Sequence, residues 1–212
     1  MVKKCYGEKT PWRKESFLLQ EEHMLSDFAR DQNILDQKLN DQNVRDITLS
    51  RSAVYCASFD PPTKGHEYII EQGSKLFDTL IVAVSVNASK KPFFTLEDRV
   101  KLLKEITQDL ENVSVESFQD QFLVHYAQEK NCKYILRGMR NSVDFEYEQR
   151  MHYLNEKISE GTLTNVFLMP PKEIEEISSS VVRSCLGLKG WKEIVKNFVP
   201  EAVYQELSKR HT

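Results

Sequence analysis

From Ser52 onward, short apolar runs alternate with longer amphipathic stretches. Ala53-Val54-Tyr55-Cys56-Ala57 predicts a strand ending in a turn that contains Pro61, Pro62 and Gly65. Helical periodicity follows through Tyr68, Ile69, Ile70, Leu76 and Phe77. Leu80 to Val86 is nearly all apolar, as expected for a strand covered on both faces. Thr95 is placed to cap a helix running to Leu110, with Asp98 as a short stand-in for the capping-box Glu. Val113–Val115, Tyr134–Leu136 and Val166–Met169 complete a set of five strands, interleaved with a helix through Leu123, Tyr126 and Ala127 and a long one from about Asp144 to Ile158. Two or three short helices end the chain. Strands alternating with helices predict an α/β fold, a Rossmann-like doubly wound sheet of five parallel strands. In such a sheet the ligand crevice lies outside the carboxyl ends of the strands, which gathers residues 56–66, 87–94, 137–140 and 170–180 at one place.

The first fifty residues read differently, with one Gly, one Pro and no β-rich run. Phe17, Leu18, Met24, Leu25 and Phe28 fit one helical stripe, followed by a polar stretch. We therefore expect residues 1–50 to be an N-terminal extension, mostly helical or disordered, and residues 51–212 to form the α/β domain with its C-terminal helices.

A net charge of −3 over 212 residues gives no global basic field, which disfavours a dedicated nucleic-acid binder. Local clusters of Lys and Arg still permit phosphate ligands. Cys5, Cys56, Cys132 and Cys185 show no C-x-x-C pair and read as reduced thiols; no histidine pairing suggests zinc. No apolar run reaches the roughly 18 residues of a membrane span, and the N-terminus has no apolar signal core, so cytoplasmic residence is expected.

Four segments carry candidate chemistry. In Ser58 to His66 a strand-to-helix junction offers unpaired N–H groups to an anion, Gly65 permits close backbone approach, and His66 can donate to a phosphoryl oxygen; a lone histidine of this kind can also be structural. Ser89-Lys90-Lys91-Pro92 is either a solvated surface or a phosphate-facing loop. Arg137-Gly138-Met139-Arg140 suits bidentate phosphate recognition, or ion pairing with Asp144, Glu146 or Glu148. Ser178-Ser179-Ser180 opens a helix and could cap it or meet a triphosphate.

In order along the chain stand S-F-D-P-x-T-x-G-H, S-K-K-P-x-F-T-L-E-x-R, R-G-x-R, D-F-E-Y-E, F-L-M-P-x-K-E and I-S-S-S-x-V. This set resembles phosphopantetheine adenylyltransferase, the bacterial-type nucleotidyltransferase of the penultimate step of coenzyme A synthesis, over residues 52–208. The resemblance implies transfer of the adenylyl group of ATP to 4′-phosphopantetheine, with Mg2+ on the triphosphate and a homohexamer built as a dimer of trimers. It implies His66 and Lys90 as catalytic residues. Ser58, Lys90, Leu123 and Arg137 would bind phosphopantetheine. Ser58, Phe59, His66, Gly138, Met139, Arg140, Glu148 and the segment Ile174, Glu175, Glu176, Ile177, Ser178, Ser179, Ser180 would bind ATP. The chain departs from the family with Ser58 for Thr, Ala57 for Gly and Lys64 for Asn, none of which removes a functional group. A nicotinate mononucleotide adenylyltransferase is the near alternative, and a non-catalytic nucleotide-binding or assembly protein the distant one. No G-x-x-x-x-G-K-[ST] loop is present, which excludes a fused P-loop kinase.

Overall fold

The computed structural model describes residues 50–86 and 91–211, all within one compact unit, Ser50–Thr212. The stripe from Phe17 to Phe28 and the Ser89-Lys90 pair lie outside the described residues.

Five strands run parallel: β1 (Ser52–Ala57), β2 (Thr79–Ser85), β3 (Val113–Phe118), β4 (Tyr134–Gly138) and β5 (Thr164–Leu168). Their spatial order is β3-β2-β1-β4-β5. The winding direction therefore reverses between β1 and β4, the switch point at which open α/β sheets bind ligands. Helices α1 (Lys64–Leu76), α2 (Leu96–Ile106), α3 (Leu123–Glu129) and α4 (Ser142–Ser159) connect the strands. After β5 come a 3-10 turn (Lys172–Ile174) and helices α5 (Ser179–Cys185), α6 (Trp191–Val195) and α7 (Glu201–Arg210).

The period of two along each strand builds two cores. Ala53, Tyr55, Leu80, Val82 and Leu136 face one way, onto Ile69 and Ile70 of α1 and Leu103 of α2. Val54, Cys56, Ile81, Ala83 and Ile135 face the other, onto Val124 and Ala127 of α3, with Ile158 of α4 packed alongside. A third cluster joins Phe94 and Leu102 to Val182, Trp191, Val203 and Leu207 of the C-terminal helices.

Of the boundaries that differ from the sequence expectation, three bear on the site or the sheet edge. α2 stops at Ile106, where the Thr107 hydroxyl and N–H both turn back to the Leu103 carbonyl, and Leu110 belongs to the following turn. β3 continues to Phe118 through Glu116, whose carboxylate accepts from Tyr126 and pairs with Lys130 at the sheet edge. β4 extends through Arg137 and Gly138, so the first arginine projects from the strand itself.

Candidate active site

The chain passes from β1 to α1 through a turn whose capping is reciprocal. Thr63, the N-cap, accepts from the His66 N–H at 3.4 Å, and Nδ1 of His66 lies 3.0 Å from the Thr63 backbone N–H. An amide can only donate, so Nδ1 is the acceptor and the ring proton sits on Nε2. The ring packs edge-on against Phe59, centroids 4.9 Å apart, and Phe59 is fully buried with φ of 49° in the left-handed region. A bulky residue in that region is strained and is held there by its surroundings. Burial, and then the charge of Arg140, push the His66 pKa down to about 4. At neutral pH the side chain is thus a neutral imidazole with a donor left over.

Buried polar groups brace this turn against its neighbours. Both carboxylate oxygens of Asp60 accept backbone N–H groups, from Phe93 and Phe94, each at 2.8 Å. Arg99 of α2 donates Nη1 to the Ser58 carbonyl at 2.7 Å. Arg183 of α5 reaches the Asp60 carbonyl and the Ser180 hydroxyl, which ties the last segment of the site to the first.

At the end of β4 both arginines are paired. Arg137 meets Glu148 side-on, Nε to Oε2 at 2.8 Å and Nη2 to Oε1 at 2.5 Å, and gives Nη1 to the Cys56 carbonyl at 3.0 Å. Burial lowers its pKa, but the bonds and charge of Glu148 outweigh that and leave the guanidinium above its ordinary value. Arg140 meets Asp144 in the same fashion, Nε to Oδ2 at 2.8 Å and Nη2 to Oδ1 at 3.1 Å. Burial pulls the Asp144 carboxyl up, yet the bonds from Arg140 hold it below the usual aspartate value. Gly138 between them cannot carry a side chain without displacement, since a Cβ would stand 3.1 Å from Ile69 Cγ1.

Of the serines, Ser178 is the N-cap of α5, accepting from the Val181 N–H at 3.2 Å, while the Ser179 hydroxyl donates to the Pro61 carbonyl at 2.8 Å. The capping alternative is what Ser178 does here.

These segments enclose a cleft of about 900 Å³ at the switch point. Ser58, His66, Arg137, Gly138, Arg140, Glu148 and Ile177 to Ser180 line it as the sequence suggests. Lys91, next to the undescribed Lys90, lines it too. Phe59 lies buried beneath the turn, and the Met139 N–H donates to the Leu168 carbonyl. Leu123, Ile174, Glu175 and Glu176 are not among the lining residues; Leu123 packs against the core that holds Val54 and Val124. Tyr55, Asp60, Arg99, Asp144, Tyr147 and Arg183 line the cleft although sequence reasoning did not select them as site residues. Asp60 and Arg99 sat inside quoted motifs, but contacts spanning more than thirty positions give no periodic signal. Among the described residues no group of three or more His, Cys, Asp or Glu is arranged to hold a metal ion, and no helix is long and apolar enough to cross a membrane.

The cytidylyltransferase-like family model matches residues 54–184. A phosphopantetheine adenylyltransferase of Neisseria meningitidis serogroup C is 43% identical over 161 residues, 76% of this chain and 94% of that protein. The same enzyme of Chromobacterium violaceum is 43% identical over 157 residues, 74% of this chain and 95% of its own. Among solved structures, Plasmodium falciparum nicotinic acid mononucleotide adenylyltransferase complexed with NaAD superposes with a TM-score of 0.55 at 15% identity, covering 75% of this chain and 95% of that one, a likeness of fold. With the turn after β1, the paired arginines of β4 and the serine segment all at one crevice, and with this identity over nearly the whole length of its relatives, the chain belongs to the phosphopantetheine adenylyltransferase family of nucleotidyltransferases.

Proposed function

We propose that the cleft transfers the adenylyl group of ATP to 4′-phosphopantetheine by direct in-line attack, giving dephospho-coenzyme A and pyrophosphate. The observation that carries this reading is the convergence, at the β1/β4 switch point, of the helix N-terminus bearing His66 with Arg137 and Arg140. An oxygen of the acceptor phosphate forms the new bond to the α-phosphorus. The bond from that phosphorus to the bridging oxygen breaks, and its electron pair leaves on pyrophosphate. The nucleophile is already anionic, so no general base is needed. The protein supplies position and stabilisation of charge.

Neutral His66 donates Nε2–H to the α-phosphoryl oxygens as their charge grows. Lys90 and Arg137 hold the acceptor phosphate, with Ser58 between the two substrates and Leu123 towards the pantetheine arm. Phe59, Gly138, Met139, Arg140, Glu148 and the segment from Ile174 to Ser180 receive ATP. Mg2+ would enter on the triphosphate and would neutralise its charge. The steps assigned to the chain run through its own side chains.

A homohexamer is part of the same reading. α4 exposes Phe145, Tyr153 and Leu154, and the edge strand β5 with the residue after it exposes Phe167 and Met169, apolar side chains of the kind that support association. Cytoplasmic residence fits the unpaired thiols of Cys56, Cys132 and Cys185. Pyrophosphate release from ATP, measured with phosphopantetheine against nicotinate mononucleotide, tests the acceptor. A far higher kcat/KM for phosphopantetheine is expected, and comparable values for the two would overturn the assignment of acceptor while leaving the class of reaction intact.

A further inference from the structure

Asp144 and Glu148 stand four residues apart near the start of α4 and so share one face of the helix. Each holds one arginine of the R-G-x-R segment, and it does so side-on. Of the five N–H donors on a guanidinium, Arg137 spends three, two on Glu148 and one on the Cys56 carbonyl. Arg140 likewise spends three, two on Asp144 and one on the Ile177 carbonyl at 3.4 Å. In both cases the remaining two N–H groups lie one on each terminal nitrogen. These are the donors a phosphate can take without displacing the carboxylate. All four side chains line the cleft.

We propose that Asp144 and Glu148 are positioning residues: each carboxylate fixes its arginine, Arg140 or Arg137, with the terminal edge of the fork ready for a substrate phosphate. The proposal rests on the reading above, in which Arg137 meets phosphopantetheine and Arg140 meets ATP. It departs from the family resemblance at one point. The resemblance gives Glu148 to ATP, whereas the geometry also makes it the orienting partner of the acceptor's arginine.

Two effects oppose each other here. A carboxylate beside an arginine reduces the pull of its charge on a phosphate, and it also removes the need to order a long side chain during binding. Because the side-on pairing leaves an N–H free on each terminal nitrogen, a phosphate can bind with the pair intact, and the expected outcome is that ordering outweighs the lost charge attraction. A Glu148 side chain made neutral would turn an amide N–H towards Arg137 Nε or Nη2 and release the fork.

The test uses the full chain, with Glu148→Gln and Asp144→Asn. Dissociation constants for phosphopantetheine and for ATP are measured separately by calorimetry, alongside melting temperature. Glu148→Gln is expected to weaken phosphopantetheine by roughly five- to tenfold, the effect of one side chain left to be ordered on binding, with a smaller change for ATP. Asp144→Asn is expected to do the reverse. Glu148→Asp, which keeps the charge but is too short for the side-on pair, should recover little. Unchanged or tighter binding of phosphopantetheine to Glu148→Gln would overturn the proposal. So would equal losses for both ligands accompanied by a lowered melting temperature, the mark of a merely structural role. If Glu148→Gln does not fold, Asp144→Asn on the less buried pair decides alone: a loss confined to ATP supports the proposal and an equal loss overturns it. A wild-type chain that binds ATP but not phosphopantetheine would sink the acceptor assignment instead, leaving the Asp144 arm of the test in force.

Discussion

Replacing His66 separates the capping role that the structure shows from the catalytic role proposed for the same ring. Nδ1 accepts the N–H of Thr63, a residue 1% exposed, and Nε2–H is the donor proposed to meet the substrate. His66→Ala removes both. The stranded Thr63 N–H costs about 1–3 kcal/mol of stability, which for a chain of this size lowers the melting temperature by roughly 2–12 °C. Loss of a donor to charge that develops in the transition state lowers kcat by roughly 10²–10³, as for one oxyanion-hole donor. ATP affinity should move little, since the ground-state triphosphate retains its other partners. His66→Gln distinguishes the two roles, because Gln at the third helical position rebuilds a capping box. Its melting temperature should return close to the parent value while kcat stays well below it. Steady-state kinetics at saturation of both substrates, ATP titration and thermal melts on the three proteins give the answer. A Gln variant that recovers stability and full turnover together would refute a specific catalytic role for the ring. Normal kcat in the Ala variant with weakened ATP would make His66 a ground-state ligand instead.

The lowered pKa of His66 gives a second prediction. The unfolded chain takes up a proton near the ordinary value of 6.5 and the folded one near 4, so this contribution to stability is complete above about 6.5 and is lost as pH falls towards 4. NMR of the His66 ring should show no titration between roughly pH 5.5 and 8, and a midpoint near 6.5 would contradict the burial argument. The two arginines should divide the substrates. Arg137→Ala is expected to weaken mainly phosphopantetheine and Arg140→Ala mainly ATP, and equal losses of both ligands in both variants would show the partition to be wrong. For assembly, light scattering should find a hexamer for the full chain and for a chain beginning near Ser50. A monomeric full-length protein whose shortened form assembles would recast residues 1–50 as an inhibitor of assembly.

How far the sequence discloses this site depends on the range of each interaction. The central strands were legible because β1, β2 and β4 are buried on both faces, and unbroken apolar runs such as Leu80–Val84 follow from that. The outer part of β3 was not, since Glu116-Ser117-Phe118 is an edge where Glu116 finds partners in Tyr126 and Lys130. The gathering of Ser58, His66, Arg137 and Arg140 at one cleft was legible as residue types at strand ends. What each group bonds was not. Residue types alone leave ion pairing and phosphate binding as alternatives for the arginines; the structure shows the ion pairs, each of which occupies only part of the fork. The brace made by Asp60 and Arg99 links residues distant in sequence through backbone groups, which leave no trace in residue type.

The spacing between His66 and the arginines has its own physical origin, in two missing side chains. α1 lies against β4 where Gly73 faces Leu136 and where Gly138 faces Ile69. A Cβ on Gly73 would stand 2.7 Å from Leu136 Cδ2, and one on Gly138 would stand 3.1 Å from Ile69 Cγ1. A larger residue at Gly73 would force the Leu136 side chain to move, and one at Gly138 would press on Ile69. The close seat fixes the start of α1 relative to the end of β4, and it brings His66 within the electrostatic reach of Arg140 that helps to keep the imidazole neutral. From the opposite face, Glu148 and Asp144 of α4 hold the arginines of the same strand end. His66, Arg137 and Arg140, the donors proposed above for the α-phosphoryl group and the two substrate phosphates, are therefore referred to one piece of backbone, Leu136 to Arg140. Positioning catalysis requires that kind of common reference, since the reacting phosphates must meet in line and small displacements are expensive.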